Sequence, residues 1–470
     1  MNHPRLCALL LLLTPALGGA ATGVEGDWNG VLKAGPVELR LALHLSRAAD
    51  GGLTGTLDSL DQSARGIPLS GVTENGRSLA IEIKAVGASY QAELSADGAA
   101  MSGTFRQNGR DLPLTFRRGP TPELSRPQNP KRPFPYDEEQ VSFENPKAGV
   151  RLAGTLTLPR TPGPHPAVLL ITGSGPQDRD ESIMGHRPFL VIADYLTRRG
   201  LAVLRVDDRG VGQSTGKFQG ATPADFAGDA RAGVDFLKTH KGIDSQQIGL
   251  IGHSEGAIIA PMLASESADI AFVVMLAGAG VTGEEILLEQ RYLINRVMGM
   301  PADMAKKENE IERYILDTVT QEHDAAAAER KIREGIAKMS AGLSEDQRKA
   351  ENAMIAQLEQ QMKTVTTPWF RAFLTYDPRP ALEKLKVPVL AMNGALDLQV
   401  PPKQNLPAIA AALETGGVAD YEIVKLPHLN HLFQTAKTGS PMEYPRIEET
   451  FAPAALEVMG EWIARHVKLP

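Results

Sequence analysis

Cysteine is almost missing from this chain. Cys7 is its one representative in 470 residues, and it lies in the first few positions. Without it there are no disulfides, no cysteine nucleophile and no thiolate-ligated metal site in the rest of the protein. Histidines are few and scattered, and no His-Glu-x-x-His pair occurs, so neither a metal nor a cofactor is expected. No basic run is present and the net charge is −7, which argues against nucleic acid as a partner. Long apolar stretches are lacking too. The longest near the start, Leu6–Leu13, is too short to span a bilayer. Preceded by His3 and Arg5 and followed by small residues through Ala21, it reads as a secretory signal over residues 1–21, cleaved near Ala20 or Ala21. The mature chain is therefore expected to be exported, to the periplasm or beyond, and to lose Cys7 on the way.

What is present divides by pattern. Residues 24–118 alternate with the period of a strand: Val37, Leu39, Leu41, Leu43 and Leu45 share one face. Asp50-Gly51, Asn75-Gly76, Asp97-Gly98 and Asn108-Gly109 punctuate the runs as hairpin turns. A small antiparallel barrel or sandwich of six to eight strands follows from this, with no catalytic cluster in it. Six prolines between positions 119 and 136 mark a stiff linker. From 137 to 470 strands alternate with helices, which implies an α/β domain with a mainly parallel sheet. Strands are expected at Leu152–Leu158, Ala167–Ile171, Leu201–Val206, Ala271–Leu276, Val387–Asn393 and Tyr421–Leu426, with a closing helix over Arg446–Val467. Residues 281–376 have helical spacing and no strand signal, and are expected to form a helical cap.

The chemistry concentrates at Ile248–Leu263, where an apolar run, the turn Gly252-His-Ser-Glu-Gly256 and a helical run follow one another. Gly252 and Gly256 lack a Cβ, so strand and helix can close tightly around a strained Ser254, which is the mechanical sense of Gly-x-Ser-x-Gly. A second match, Gly212-Gln-Ser-Thr-Gly216, follows a loop and starts no helix, so Ser214 reads as a turn residue. A serine nucleophile needs a base and an orienting carboxylate, in the chain order Ser, acid, His for a sheet of this kind. Asp397 stands in the loop after Val387–Asn393, favoured over Asp377. His431, in Leu426-Pro-His-Leu-Asn-His-Leu-Phe433, is the chosen base because Leu-Phe can anchor its loop, with His428 as fallback. Trp369, Phe370 and Phe373 lie where the cap returns to the sheet and are candidates for lining a substrate pocket.

Taken together, Asp-Asp-Arg-Gly-Val-Gly-Gln-Ser (207–214), Gly-His-Ser-Glu-Gly (252–256), Asn-Gly-Ala-Leu-Asp-Leu-Gln-Val-Pro (393–401) and Leu-Asn-His-Leu-Phe (429–433) resemble a family of secreted bacterial α/β-hydrolases. Its members are esterases or relatives of serine aminopeptidases and acylaminoacyl peptidases. Over about residues 137–470 the resemblance implies an α/β-hydrolase fold with Ser254 as nucleophile, His431 as base and Asp397 as acid. It also implies an oxyanion hole from the backbone N–H of Glu255 and that of Ser174, with Gly175 as alternate, and a structural role for Asp207, Asp208 and Arg209. The leading expectation is a carboxylesterase acting on a small-molecule ester. A peptidase, with Glu284, Glu285 or Glu289 available to bind an amine, and a non-catalytic binding protein stay open. Oligomeric state is not expressed in the sequence.

Overall fold

The computed structural model describes residues 23–339 and 365–470, apart from 35–36, 63, 108 and 123–124. The expected leader, with Cys7, lies outside the described residues, as does the part of the cap at 340–364. The chain divides into two compact units, residues 1–123 and 124–470.

The first unit is a single antiparallel sheet of nine strands, one more than the most expected. Its middle strand is β9 (Arg110–Arg118), and beside it β1 (Gly26–Ala34) pairs with both β9 and β2 (Val37–Arg47). The alternation read from the sequence sets the buried face: Leu41, Leu43 and Leu45 pack with Trp28, Tyr90 and Phe116. Tyr90 sits edge-on to Phe116 and satisfies its buried hydroxyl on the Met101 and Leu114 carbonyls. β4 (Ala64–Pro68) and β5 (Gly71–Asn75), which end the sheet on either side, are among the strands that carried no alternating run in the sequence. Edge strands bury little, so they carry little of the alternation that marks a strand.

The second unit is built on an eight-stranded sheet in the order β10-β11-β13-β12-β14-β15-β16-β17. β12 (His165–Ile171), β13 (Ala202–Val206), β14 (Ile243–His253), β15 (Phe272–Leu276), β16 (Val389–Gly394) and β17 (Tyr421–Leu426) run parallel. β10 (Asp137–Asn145) and β11 (Val150–Leu158) form an antiparallel hairpin at one edge, so the parallel pattern begins one hairpin later than the sequence suggested. The parallel strands read as continuous apolar runs because both faces are covered. On one face lie α2 (Pro223–Thr239), α3 (Gly256–Ala264) and the helix Pro402–Gly416, through Val234, Leu237, Ile259 and Ile409. On the other lie α1 (Pro188–Arg198) and the last helix, Pro453–His466, through Phe189, Leu196, Met459 and Trp462. That is an α/β-hydrolase fold.

The last helix starts at Pro453 rather than near Arg446. Pro441–Arg446 forms a 3-10 turn, and Gln128 holds the stretch that follows it, accepting from the Phe451 N–H at 3.0 Å and donating to the Phe451 carbonyl at 2.7 Å. The second half of the proline-rich segment is therefore stitched to this unit. Arg126 likewise donates to the carbonyls of Met184, Pro445 and Ile447. In the cap, every described element between Gly283 and Thr375 is helical: Gly283–Val297, Ala302–Gln321, Ala325–Met339 and Pro368–Thr375. These helices share a core of their own around Leu288, Leu316, Val319 and Ile336. No helix among the described residues is long and apolar enough to cross a membrane.

Trp462 is 1 % exposed and meets Phe272 edge-on at 5.9 Å between ring centroids. Trp462→Ala is expected to cost about 3–5 kcal/mol of stability, because the void cannot collapse against a rigid sheet. Urea denaturation followed by far-UV dichroism measures it, and a loss under about 1 kcal/mol would mean the helix repacks freely.

Candidate active site

The parallel strands end at one edge, and Ser254, Asp397 and His431 follow the ends of β14, β16 and β17 there. β14 runs into His253, Ser254 follows at φ +55°, and α3 starts at once. An ordinary L-residue is strained there, and two glycines explain why it stays. A Cβ on Gly252 would stand 2.0 Å from the Gly256 carbonyl oxygen, and one on Gly256 would stand 2.1 Å from the Ile171 carbonyl oxygen. Helix and sheet thus approach closer than any side chain permits, and the turn between them has no relaxed alternative. Among the described residues the Ser254 hydroxyl makes no hydrogen bond. Such contacts commonly tighten only once substrate is bound.

Asp397 lies three residues beyond β16, buried, in a turn of its own making. Its Oδ1 accepts from the N–H groups of Gln399 at 2.8 Å and Val400 at 2.9 Å. Its other oxygen, Oδ2, faces His431 Nδ1 at 2.8 Å. A carboxylate so held can take only the proton of Nδ1, which leaves Nε2 unprotonated and able to act as a base. The loop carrying His431 is fixed by the fully buried Phe433, stacked on Phe451, and by Asn430 Oδ1, which accepts from the N–H groups of Leu432 and Gln434. His428 is exposed on the preceding turn, and Asp377 is engaged by Arg379 at 2.7 Å. Neither joins the group. Ser214 is buried between the Asp207 carbonyl and the Ala153 N–H, as a turn residue should be.

The loop Thr172–Gln177 is clamped at both ends. Asp208 accepts from the Thr172 hydroxyl at 2.8 Å and from the Gln177 N–H at 2.9 Å. Glu181 accepts from the Gly173 N–H at 2.7 Å. Gly173 lies against the serine, since a Cβ there would stand 3.3 Å from Ser254 Cβ. Among the described residues the N–H groups of Ser174, Gly175 and Glu255 donate to no protein acceptor. Asp207 is spent on Arg179 and Arg209 on Asp229.

Glu255, next to the serine, was noted in the sequence only for its N–H. Its side chain is buried, lines a cavity of about 50 Å³ with Thr172, Gly173, Asp208 and Phe226, and accepts from Trp369 Nε1 at 2.9 Å. Burial pushes its carboxyl up to about 7, against the lowering effect of the indole. Burial does the same to Asp208, also to about 7, with Glu181 and Glu255 adding repulsion. Of the three cap aromatics, Trp369 alone reaches the nucleophile turn by a hydrogen bond. Phe370 and Phe373 pack against the cap core, and Phe373 also meets the cluster of Ile258, Val281 and Val400. They serve the cap's attachment more than a pocket wall. Among the cap glutamates, Glu285 is taken up by a capping box with Thr282, and Glu284 lies 3.8 Å from Arg313.

The Glu255 shift has a stability consequence with a definite sign. Between its unfolded value of 4.5 and about 7 the folded chain keeps a proton that the unfolded chain has released, so stability falls as pH rises through that window. Glu255→Gln keeps an acceptor for Trp369 and does not titrate. Relative to wild type it should gain up to about 3 kcal/mol between about pH 5 and about pH 8. Paired thermal melts at the two pH values test this, and a constant offset would mean that Glu255 ionises normally.

Residues 148–426, more than half of the chain, match the model of the X-Pro dipeptidyl-peptidase (S15) family. A curated relative, esterase EstD of Thermotoga maritima, is 26% identical over 344 residues, covering 73% of this chain and 71% of that protein. Among solved structures, the esterase Pf2001 of Pyrococcus furiosus is 17% identical, with a TM-score of 0.42 over 71% of this chain and 90% of that one. The α/β-hydrolase GrgF of Penicillium sp. sh18 is 16% identical, with a TM-score of 0.43 over 70% of this chain and 99% of that one. With a serine turn, a buried carboxylate–imidazole pair and a matching family model all inside the same α/β unit, this hydrolase belongs to the X-Pro dipeptidyl-peptidase (S15) family.

Proposed function

We propose that the protein is a serine carboxylesterase working through Ser254, His431 and Asp397. The observation that carries the reading is the buried His431–Asp397 pair at 2.8 Å, on loops from the same sheet edge as the strained Ser254. His431 Nε2 takes the Ser254 proton as Oγ attacks the ester carbonyl carbon. The oxygen that becomes negative is met by the N–H groups of Glu255 and Ser174, with Gly175 in reserve, where one donor is worth about 3 kcal/mol of transition-state stabilisation. The tetrahedral species collapses, His431 returns the proton to the departing alcohol, and an acyl-Ser254 ester remains. Water, deprotonated by His431, then releases the acid and restores the serine.

Ester rather than amide cleavage is favoured by the likeness to EstD over most of both chains. The peptidase reading keeps a specific support of its own, the family that the chain matches. A series of p-nitrophenyl esters from acetate to long acyl chains, run beside aminoacyl and X-Pro p-nitroanilides, decides between them. Ester turnover should dominate. Ser254→Ala should abolish it, and Asp397→Asn should lower kcat by about 10³–10⁴-fold, since the wrong His431 tautomer would then be favoured. Faster anilide cleavage would install the peptidase. The leader proposed at residues 1–21 has its own check: N-terminal sequencing of the exported protein should begin at Ala21 or Thr22.

A further inference from the structure

His253, the residue before the serine, has an acceptor on each side of its ring. Nδ1 lies 2.9 Å from Glu181 Oε1, and Nε2 lies 3.0 Å from the main-chain carbonyl of His431. A peptide carbonyl can only accept, so Nε2 carries a hydrogen. As a carboxylate oxygen, Glu181 Oε1, which also accepts from the Gly173 N–H, faces the ring as an acceptor too. A neutral imidazole has one N–H, and both positions are filled here only by an imidazolium. Burial works against that charge, yet the Glu181 carboxylate, its hydrogen bond, the His431 carbonyl and Asp397 together hold the ring above the ordinary histidine value.

Glu181 is an expensive residue at its position. It is 6 % exposed, sits at φ +52°, and its second oxygen finds no partner among the described residues. Left-handed backbone at a non-glycine and a half-satisfied buried carboxylate each cost stability, and such costs collect where function needs them. What Glu181 and His253 reach is specific. One end holds the loop that bears Ser174 and Gly175, and the other holds the main chain of the base itself, with the two rings 4.9 Å apart.

We infer that Glu181 and His253 form a second carboxylate–imidazole dyad, a pair of positioning residues that ties the oxyanion loop and the His431 loop to the nucleophile turn. The inference rests on the triad reading above. Neither residue touches substrate. Their work is to keep three segments of distant sequence in register at the moment of attack, where a displacement of about 1 Å can cost roughly 100-fold in rate.

The test uses the full chain with Glu181→Gln, His253→Gln, the double variant and Ser254→Ala. Rates on a p-nitrophenyl ester are expressed per serine that reacts covalently with a fluorophosphonate probe, so that misfolded protein drops out, and for Ser254→Ala per protein folded by far-UV dichroism. Each single variant should lower kcat by about 10- to 100-fold with KM changed by about twofold or less. The double variant should be no worse than the weaker single one, because the pair acts as a unit. Histidine-selective ¹⁵N spectra of the wild type should show His253 protonated at both nitrogens, and Glu181→Gln should return it to the neutral ring. Unchanged kcat in both single variants while Ser254→Ala is inactive would overturn the dyad and leave the triad standing. So would a neutral His253 in the wild type, whatever the variants do. Full turnover by Ser254→Ala would remove the triad reading itself, and the dyad with it.

Discussion

The site depends on one steric fact, the contact between the start of α3 and the end of β12. Gly256 meets the Ile171 carbonyl, and Gly252 meets Gly256, at distances that exclude a Cβ at either glycine. The helix therefore begins immediately after the strand, and the residue between them is forced to φ +55°. This places a serine hydroxyl at the head of a helix whose first N–H groups lack intrahelical partners. It also brings the loop after β12 alongside, since β12 and β14 are paired neighbours in the sheet. The strained serine, the helix dipole and the loop after β12 thus share a single cause.

Around that contact buried carboxylates hold the loops alongside apolar packing. Burying a carboxylate costs several kcal/mol unless hydrogen bonds answer it. Asp208, Glu181 and Asp397 each answer it with backbone N–H groups of the loop they restrain: Gln177, Gly173, and Gln399 with Val400. An apolar side chain would pack there at less cost but would leave those N–H groups free to turn. In a site whose chemistry consists of directed hydrogen bonds, orientation is what the carboxylates supply, and stability is drawn instead from the two large apolar clusters on the faces of the sheet.

Much of this was legible in the sequence, for identifiable reasons. Buried parallel strands leave apolar runs, so β12, β13, β15 and β16 were found within a residue or two, and the edge strand β17 was marked by Tyr421, Ile423, Val424 and Leu426. The order of Ser254, Asp397 and His431 follows strand order, and the Leu-Phe after His431 does anchor its loop through Phe433. What escaped were features that local pattern does not encode. β4 and β5 bury too little to alternate. Gln128, more than 300 residues upstream, grips Phe451 just before Pro453 opens the last helix. Glu181 sits among the acids of Asp178-Arg-Asp-Glu-Ser182, where no local pattern singles it out, and its partner stands 72 residues away. His253 was visible inside the motif, but a histidine before a serine says nothing about which acceptors its ring will meet.

The cap makes the same point about coupling from the other side. Its helix Pro368–Thr375 meets the hydrolase core through the indole of Trp369 on Glu255 and through Phe373 against Ile258, Val281 and Val400. Glu255 and Ile258 both belong to the nucleophile turn and its helix, so this end of the cap rests on the segment that carries Ser254. A displacement of the helix would break a hydrogen bond to a buried carboxyl and expose an aromatic face together, so the base of the cap moves little relative to the serine. The side chains at this base of the cap are thereby held against the same turn and helix that carry Ser254.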